Sequence, residues 1–322
     1  MRNSHDQRVT TARPDAVFQE LLADPRNEVR PPPDHIPLAV LRQAADARLA
    51  LAPRRDIRSS ADLGLDLDSG DVPARLYRPH PDRNLPIILF LHGGGWVWGS
   101  LDSHDSMCRS LALDSGCAVL SLGYRLSPEA PFPAALDDVA GALRWITEYG
   151  ADHGLDAGRM ALCGDSSGGN LALIAALETT VTLSALGLFY PPLDPECGSP
   201  SQDTFGRGHL LTRDGMRWFW AQYLQDTATP APARAAPLSR DLSGLPPVSI
   251  GLAECDILHD EGCALAQALE GAGVPARLRV YRGQIHAFVS LPHVTPAAEI
   301  AIRDMAHDLR DHLNANPESQ QP

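Results

Sequence analysis

An apolar run beginning near Met160 stops at Gly164-Asp165-Ser166-Ser167-Gly168 and gives way at once to an alanine- and leucine-rich stretch ending near Leu177. Strand, tight turn and helix follow one another without a gap, and a serine stands at the turn's apex in a G-x-S-x-G pattern. A nucleophile placed there sits on a sharp, strained turn with its hydroxyl clear of the sheet. Glycines two residues to either side let strand and helix approach without side-chain clashes. The helix starts immediately behind the serine, so its unpaired N–H groups and positive dipole end point at any developing oxyanion. An ordinary glycine-serine turn fits the motif alone equally well, so the other reacting groups have to be found elsewhere in the chain.

The same alternation of strand and helix recurs along the sequence. Leu63–Asp68 and Ala74–Arg78 alternate in polarity, as an antiparallel edge does. Pro86–Leu91, Cys117–Leu122, Ala185–Tyr190 and Val248–Ala253 are continuous apolar runs, the mark of strands covered on both faces. Helical patterns cover about 134–149, 260–270 and a final stretch begun by Thr295-Pro296. A last strand alternates Leu278 and Val280 with Arg277 and Arg279, the arginines expected outward. Strands separated by helices predict a doubly wound, mostly parallel sheet.

Two regions break the alternation. Helical patterns at Ala16–Leu22 and Ile36–Leu51, joined by the stiff Arg30-Pro31-Pro32-Pro33-Asp34, precede any strand and are expected to pack on the domain from outside. In the second, Leu38, Leu41, Ala45 and Leu49 share a face, with Gln43 and Asp46 away from it. Residues 1 to about 13 look like a loose tail. From 194 to about 240, Pro, Gly and Ser crowd in, with an Ala/Pro-rich block at Thr229–Pro237. Within this region a Thr212-capped helix runs to Leu224. Its Met216, Phe219, Trp220, Tyr223 and Leu224 make one apolar face, which suits core packing, a lid with an aromatic underside, or both. The expected organisation is therefore tail and helical cap segment 1–55, core 56–193, cap insertion 194–240 and core 241–322.

Composition removes several function classes. The formal net charge of -13 argues against nucleic acid and anionic membrane surfaces as partners. All 27 cationic side chains are arginine, which excludes Schiff-base chemistry, a phosphate-binding lysine and a Ser-Lys dyad. The six cysteines show neither a C-x-x-C pair nor metal-ligand spacing, so they read as buried thiols of a reducing compartment. No metal is expected. The polar start and the lack of an apolar run of ~18 residues predict a cytoplasmic protein without a membrane span.

In parallel sheets ligands bind beyond the carboxyl ends of the strands. Four loops expected there carry His92-Gly93-Gly94-Gly95, Ser166, Asp256 and His286, in the order Ser, Asp, His. The matching segments include His92-Gly93-Gly94-Gly95-Trp96, Tyr124-Arg125-Leu126-Ser127-Pro128-Glu129, Gly164–Asn170, Asp256–Gly262 and His286-Ala287-Phe288. On these the chain resembles the hormone-sensitive-lipase-like bacterial carboxylesterases, in the branch marked by G-D-S-A-G. The resemblance extends over nearly everything from about residue 60 onward. It implies an α/β-hydrolase fold, a mostly parallel eight-stranded sheet flanked by helices with a small helical cap. Departures are Ser127 and Ser167 for the usual alanine, Ile257 for proline and Ala287 for glycine.

What the resemblance implies can be written residue by residue. Ser166 is the nucleophile, His286 the base that later protonates the leaving alcohol, and Asp256 the group that holds the imidazole. Backbone N–H groups of Gly94, Gly95 and Ser167 form the oxyanion hole, and His92 and Gly93 support that loop. His259, His293, His307 and His312 are rival bases, and Glu254 and Asp260 rival acids, but His286 follows a strand directly. Asp165, Arg125 and Glu129 read as buried ion pairs or hydrogen-bond partners. Trp96, Trp218, Trp220 and Tyr223 are candidate pocket residues. The expected activity is hydrolysis of small-molecule esters with short- to medium-chain acyl groups, with no cofactor. An amidase, lactonase or arylformamidase would use the same triad, and a hormone receptor of the same fold would lack the histidine. Homodimers are common in the resembling family.

Overall fold

The computed structural model describes residues 12–33, 35–82, 84–225, 232 and 234–315. Asp34, most of the tail and much of the Thr229–Pro237 block lie outside the described residues. Eight strands form one sheet: β1 (Ser59–Leu67), β2 (Gly70–Arg78), β3 (Leu85–Leu91), β4 (Ala118–Leu122), β5 (Leu155–Asp165), β6 (Ala185–Phe189), β7 (Val248–Cys255) and β8 (Ala276–Ile285). Their order is β1-β2-β4-β3-β5-β6-β7-β8. β2 runs antiparallel to β1 and β4, and every other pairing is parallel. The apolar runs explain this layout, because every residue of β3, β4 and β6 is buried between helical layers.

The α-helices among the described residues are α1 (Gln19–Ala23), α2 (Leu38–Leu49), α3 (Asp105–Ser115), α4 (Ala134–Tyr149), α5 (Ser167–Glu178), α6 (Pro200–Thr204), α7 (Arg213–Leu224), α8 (His259–Gly271) and α9 (Ala297–Leu313). None is long and apolar enough to cross a membrane. Thr212 caps α7 as its sequence requires, its hydroxyl accepting the Gly215 N–H at 3.0 Å.

The last strand departs from the expected facing. Leu278 and Val280 are each 37% exposed. Arg277 and Arg279 instead turn to α9, where both donate to the buried Asp308, whose other partner is the Ser249 hydroxyl at 2.9 Å. β8 is an edge strand, and the helix covering one of its faces presents carboxylates at Asp304 and Asp308. Electrostatic pairing therefore decides which alternate set faces α9.

The N-terminal region and the 194–225 region meet each other. The Val29 N–H donates to the Leu210 carbonyl at 2.7 Å, and the Val29 carbonyl accepts from the Thr212 N–H and hydroxyl. Helix α2 is fastened to the core by Arg42, which donates to the Val97 and Ser127 carbonyls at 2.8 Å each and pairs with Glu129. Asp46, expected away from the packed face, turns one carboxylate oxygen into a buried position, and burial raises its carboxyl above the usual range. Ser100 and His104 beneath α2, with Arg42 beside it, face that carboxylate where an apolar sheet face would reject it.

Candidate active site

The elbow geometry follows from its glycines. β5 ends at Asp165, Ser166 adopts φ 51° and ψ −123°, and α5 begins at Ser167. A side chain at Gly164 would overlap the Gly168 backbone, and one at Gly168 would overlap the Leu91 carbonyl. Three backbone segments thus meet where only hydrogen fits. The Ser166 N–H donates to the Phe189 carbonyl at 2.9 Å, which ties the strained residue to β6.

At the ends of β7 and β8 the chain delivers two further side chains to that serine. Ser166 Oγ lies 3.0 Å from His286 Nε2, and His286 Nδ1 lies 2.8 Å from Asp256 Oδ2. The other Asp256 oxygen accepts the Leu258 N–H at 3.0 Å, so the carboxylate is held at both ends. All three are buried, with Asp256 the deepest. Residues 120 and 90 positions apart in the sequence therefore form one continuous hydrogen-bonded chain. The rival histidine His259 turns instead to the Ala253 carbonyl and Cys263. Glu254 accepts the Gly283 N–H, and Asp260 accepts the Ser201 N–H.

Residues 88–290 match the sequence model of a family described by its α/β hydrolase fold. Ethyl acetate hydrolase of Pseudomonas putida is 41% identical over 263 residues, covering 79% of this chain and 83% of that protein. Carboxylesterase NlhH of Mycobacterium tuberculosis is 40% identical over 71% of this chain and 74% of its own length. The chain belongs to the α/β-hydrolase family. Within it, the relatives place the chain among the hormone-sensitive-lipase-like esterases. The solved structure of an ester hydrolase from the metagenome of Lake Arreo, complexed with a bipyridine phosphonate derivative, superposes with a TM-score of 0.87. It is 34% identical and covers 94% of this chain and 100% of that one.

In this member of the family, the loop after β3 runs beside the elbow. The Gly93 N–H donates to Asp165 Oδ1 at 2.8 Å, and the Tyr124 hydroxyl donates to the His92 carbonyl at 2.7 Å. The His92 ring stacks on Tyr124 at 4.3 Å, and its Nδ1 lies 2.8 Å from the Gly93 carbonyl. Burial, with His104 adding to it, pushes His92 down to about 4, so the ring is neutral near pH 7. Gly94 and Gly95 have φ 120° and 61°. A side chain at Gly94 would meet the Trp98 carbonyl, and one at Gly95 would meet the Phe219 ring. Among the described residues the N–H groups of Gly94 and Gly95 have no hydrogen-bond partner. The Ser167 N–H is the first of α5 and has no intrahelical acceptor.

The four aromatic residues expected at the pocket pack largely on one another. Trp96 stacks on Tyr223 at 4.3 Å and tilts against Trp220 at 4.4 Å, and all three are buried. Trp218 is half-buried, 6.2 Å from Trp98. Phe219, between them on α7, lies directly over Gly95. Its place on the apolar face of α7 was legible, but its contact with a glycine far upstream was not. Of the expected ion pairs, Arg125 meets the buried Asp138 at 2.8 Å. Glu129 pairs with Arg42 but is 60% exposed, not buried as expected, because its partner reaches it from α2 at the surface.

Two buried groups beside the site escaped sequence reasoning. Glu261, in the first turn of α8, accepts the Leu193 and Asp194 N–H groups and the Gln202 amide, tying the Asp256 loop to the start of the 194–225 segment. Burial pushes its carboxyl up to about 7 against the pull of those three donors. His104, in Ser103-His104-Asp105, lies 3.3 Å from Asp165. The signal for His104 was a polar residue inside a stretch that folding buries, whereas Glu261 lay within the Asp256–Gly262 segment without a role attached to it.

Proposed function

We propose that this chain is a carboxylic ester hydrolase in which Ser166, His286 and Asp256 act as a catalytic triad. The observation that carries the reading is the unbroken chain from Ser166 Oγ through His286 to Asp256. Esterase relatives at about 40% identity support the same reaction class.

In the reaction, Ser166 Oγ adds to the ester carbonyl carbon while His286 Nε2 takes the hydroxyl proton. The carbonyl oxygen becomes an oxyanion facing the N–H groups of Gly94, Gly95 and Ser167. Each such donor is worth about 3 kcal/mol in the transition state. His286 then protonates the leaving alcohol, the C–O bond breaks and an acyl-Ser166 remains. Water, deprotonated by His286, adds to the acyl carbon, and collapse releases the acid and restores the serine. Throughout, His286 Nδ1–H donates to Asp256, which holds the ring orientation and stabilises the imidazolium.

The substrates in this reading are small esters with short- to medium-chain acyl groups. The cap comprises 1–55 and 194–240, and the core 56–193 and 241–322. The clasp between Val29 and Leu210–Thr212 supports pairing the two cap pieces. Each of the six cysteines is a free, buried thiol, which suits the cytoplasm. Ser166→Ala is expected to lower turnover of a short aryl ester by at least about 10⁴-fold with an unchanged melting temperature. Substantial residual turnover in that variant would refute the assignment.

A further inference from the structure

Beside the elbow lies a second imidazole–carboxylate pair. His104 is 2% exposed and stands at the start of α3. Its Nε2 lies 3.3 Å from Asp165 Oδ1, and its Nδ1 lies 2.8 Å from the Ser103 hydroxyl. Ser103 is itself fixed, taking the Ser100 N–H at 2.8 Å and donating to the Ser100 carbonyl at 2.9 Å. The ring is thus held at both nitrogens by groups that cannot easily move.

Asp165 is the shared member. The oxygen facing His104 also accepts the Gly93 N–H at 2.8 Å. Asp165 immediately precedes Ser166, and Gly93 immediately precedes Gly94. One carboxylate therefore sets how far the nucleophile stands from the loop that offers N–H groups to the oxyanion. Asp165 is 3% exposed. Burial works to raise its carboxyl, but His104 and the Gly93 N–H more than reverse this and hold it below the usual range. An ionised oxygen can serve two donors at once, whereas a protonated carboxyl must spend one oxygen as a donor.

We propose that His104 is a positioning residue for ester hydrolysis, acting through Asp165 and Gly93 to aim the Gly94 and Gly95 N–H groups at the reacting oxygen. A pair that served only to join α3 to the elbow would affect stability and substrate binding together. A positioning pair affects what is bound in the transition state alone. Tightness here matters because a displacement of about 1 Å at an oxyanion donor already costs orders of magnitude in rate.

The inference rests on the esterase reading above, and the two fail separately. If the wild-type chain turns over no ester, that reading falls. If the wild type is active and His104 is indifferent, only this inference falls. The test compares wild type, His104→Ala and His104→Gln on a short aryl ester, with a trifluoromethyl ketone as a reversible probe. Ser166 Oγ adds to the ketone carbonyl, and the resulting oxyanion reports on the same N–H groups. His104→Ala is expected to lower kcat about 10- to 100-fold with KM within about threefold, and to weaken the ketone by the same factor as kcat/KM. His104→Gln, which keeps an N–H toward Asp165, is expected to recover most of the loss. An unchanged kcat in His104→Ala, a loss of kcat without loss of ketone affinity, or a glutamine variant as poor as alanine would each overturn the proposal. Should His104→Ala fail to fold, Ser103→Ala keeps the imidazole and removes its Nδ1 partner, together with the hydroxyl's two bonds to the Ser100 backbone. It is expected to lose about threefold in both quantities, and wild-type values for both would overturn the proposal.

Discussion

The two banks of the site are built from different materials. On one side, the loop after β3 and the elbow after β5 present backbone N–H groups. On the other, the ends of β7 and β8 present the side chains of Asp256 and His286. Backbone can be brought to a reacting atom only where side chains are missing. The first bank is therefore a run of glycines, and an added carbon would strike the Asp165 carboxylate at Gly93, the Phe219 ring at Gly95 and main chain at Gly94, Gly164 and Gly168. Buried polar side chains, Asp165 and Tyr124 above all, then anchor that backbone. On the second bank the groups proposed to react are already side chains, and the residues beside them have more freedom. Ala287 there occupies φ 61°, a place where glycine is usual, and Ile257 follows Asp256 where proline is usual. Tolerance to substitution should follow that division.

The largest effect that would break the comparison is expected on the backbone bank. Gly168→Ala forces a carbon into the Leu91 carbonyl, and neither partner is a side chain that can turn away. It is expected to destabilise the fold by about 3 kcal/mol or more and to lower kcat/KM over 100-fold. Denaturant unfolding and ester kinetics check this, and near-wild-type values would show that the close approach is not needed.

A middle-sized effect is expected on the second bank, at Glu261. Its carboxyl sits at about 7 in the fold, above its unfolded value of about 4.3. The bound proton therefore stabilises the fold fully below about pH 4.3, and that contribution is lost as the pH rises through about 7. Its size is on the order of 3–4 kcal/mol. Melting temperatures of wild type and Glu261→Gln between pH 5 and 8 should show the downward trend in wild type and its absence in the variant. Equal slopes would remove Glu261 from the account.

The smallest effect is expected beside His286. Ala287→Gly relieves about 1–2 kcal/mol of left-handed strain but adds about 0.5–1 kcal/mol of unfolded-state entropy. Stability should rise by no more than about 1 kcal/mol, with kcat within about twofold. A large loss of activity would mean that the second bank is as sharply constrained as the first.

The division also explains what the sequence made legible. Glycine runs, apolar strands and the order Ser, Asp, His are local patterns, so the sheet, the elbow and the residues at its edge could be read directly. What could not be read depends on which surface a side chain meets after folding. Arg277 and Arg279 lie toward α9, the first still mostly exposed, because that helix brings Asp308 to them. Asp46 turns toward the core because Ser100 and His104 lie beneath it. His104 looked like any histidine near a helix start until α3 carried it beside the elbow. Phe219 was legible as one of an apolar face, but not as the ring that closes over Gly95.

The central claim is that Ser166, activated by His286, carries the acyl group. Incubating the wild-type chain with an aryl organophosphonate and following intact mass, tryptic peptides and residual ester hydrolysis addresses it most directly. The account expects one phosphonyl adduct per chain, located on Ser166, with activity lost in proportion to labelling. Label on any other residue, or full hydrolysis by a chain fully labelled at Ser166, would contradict it.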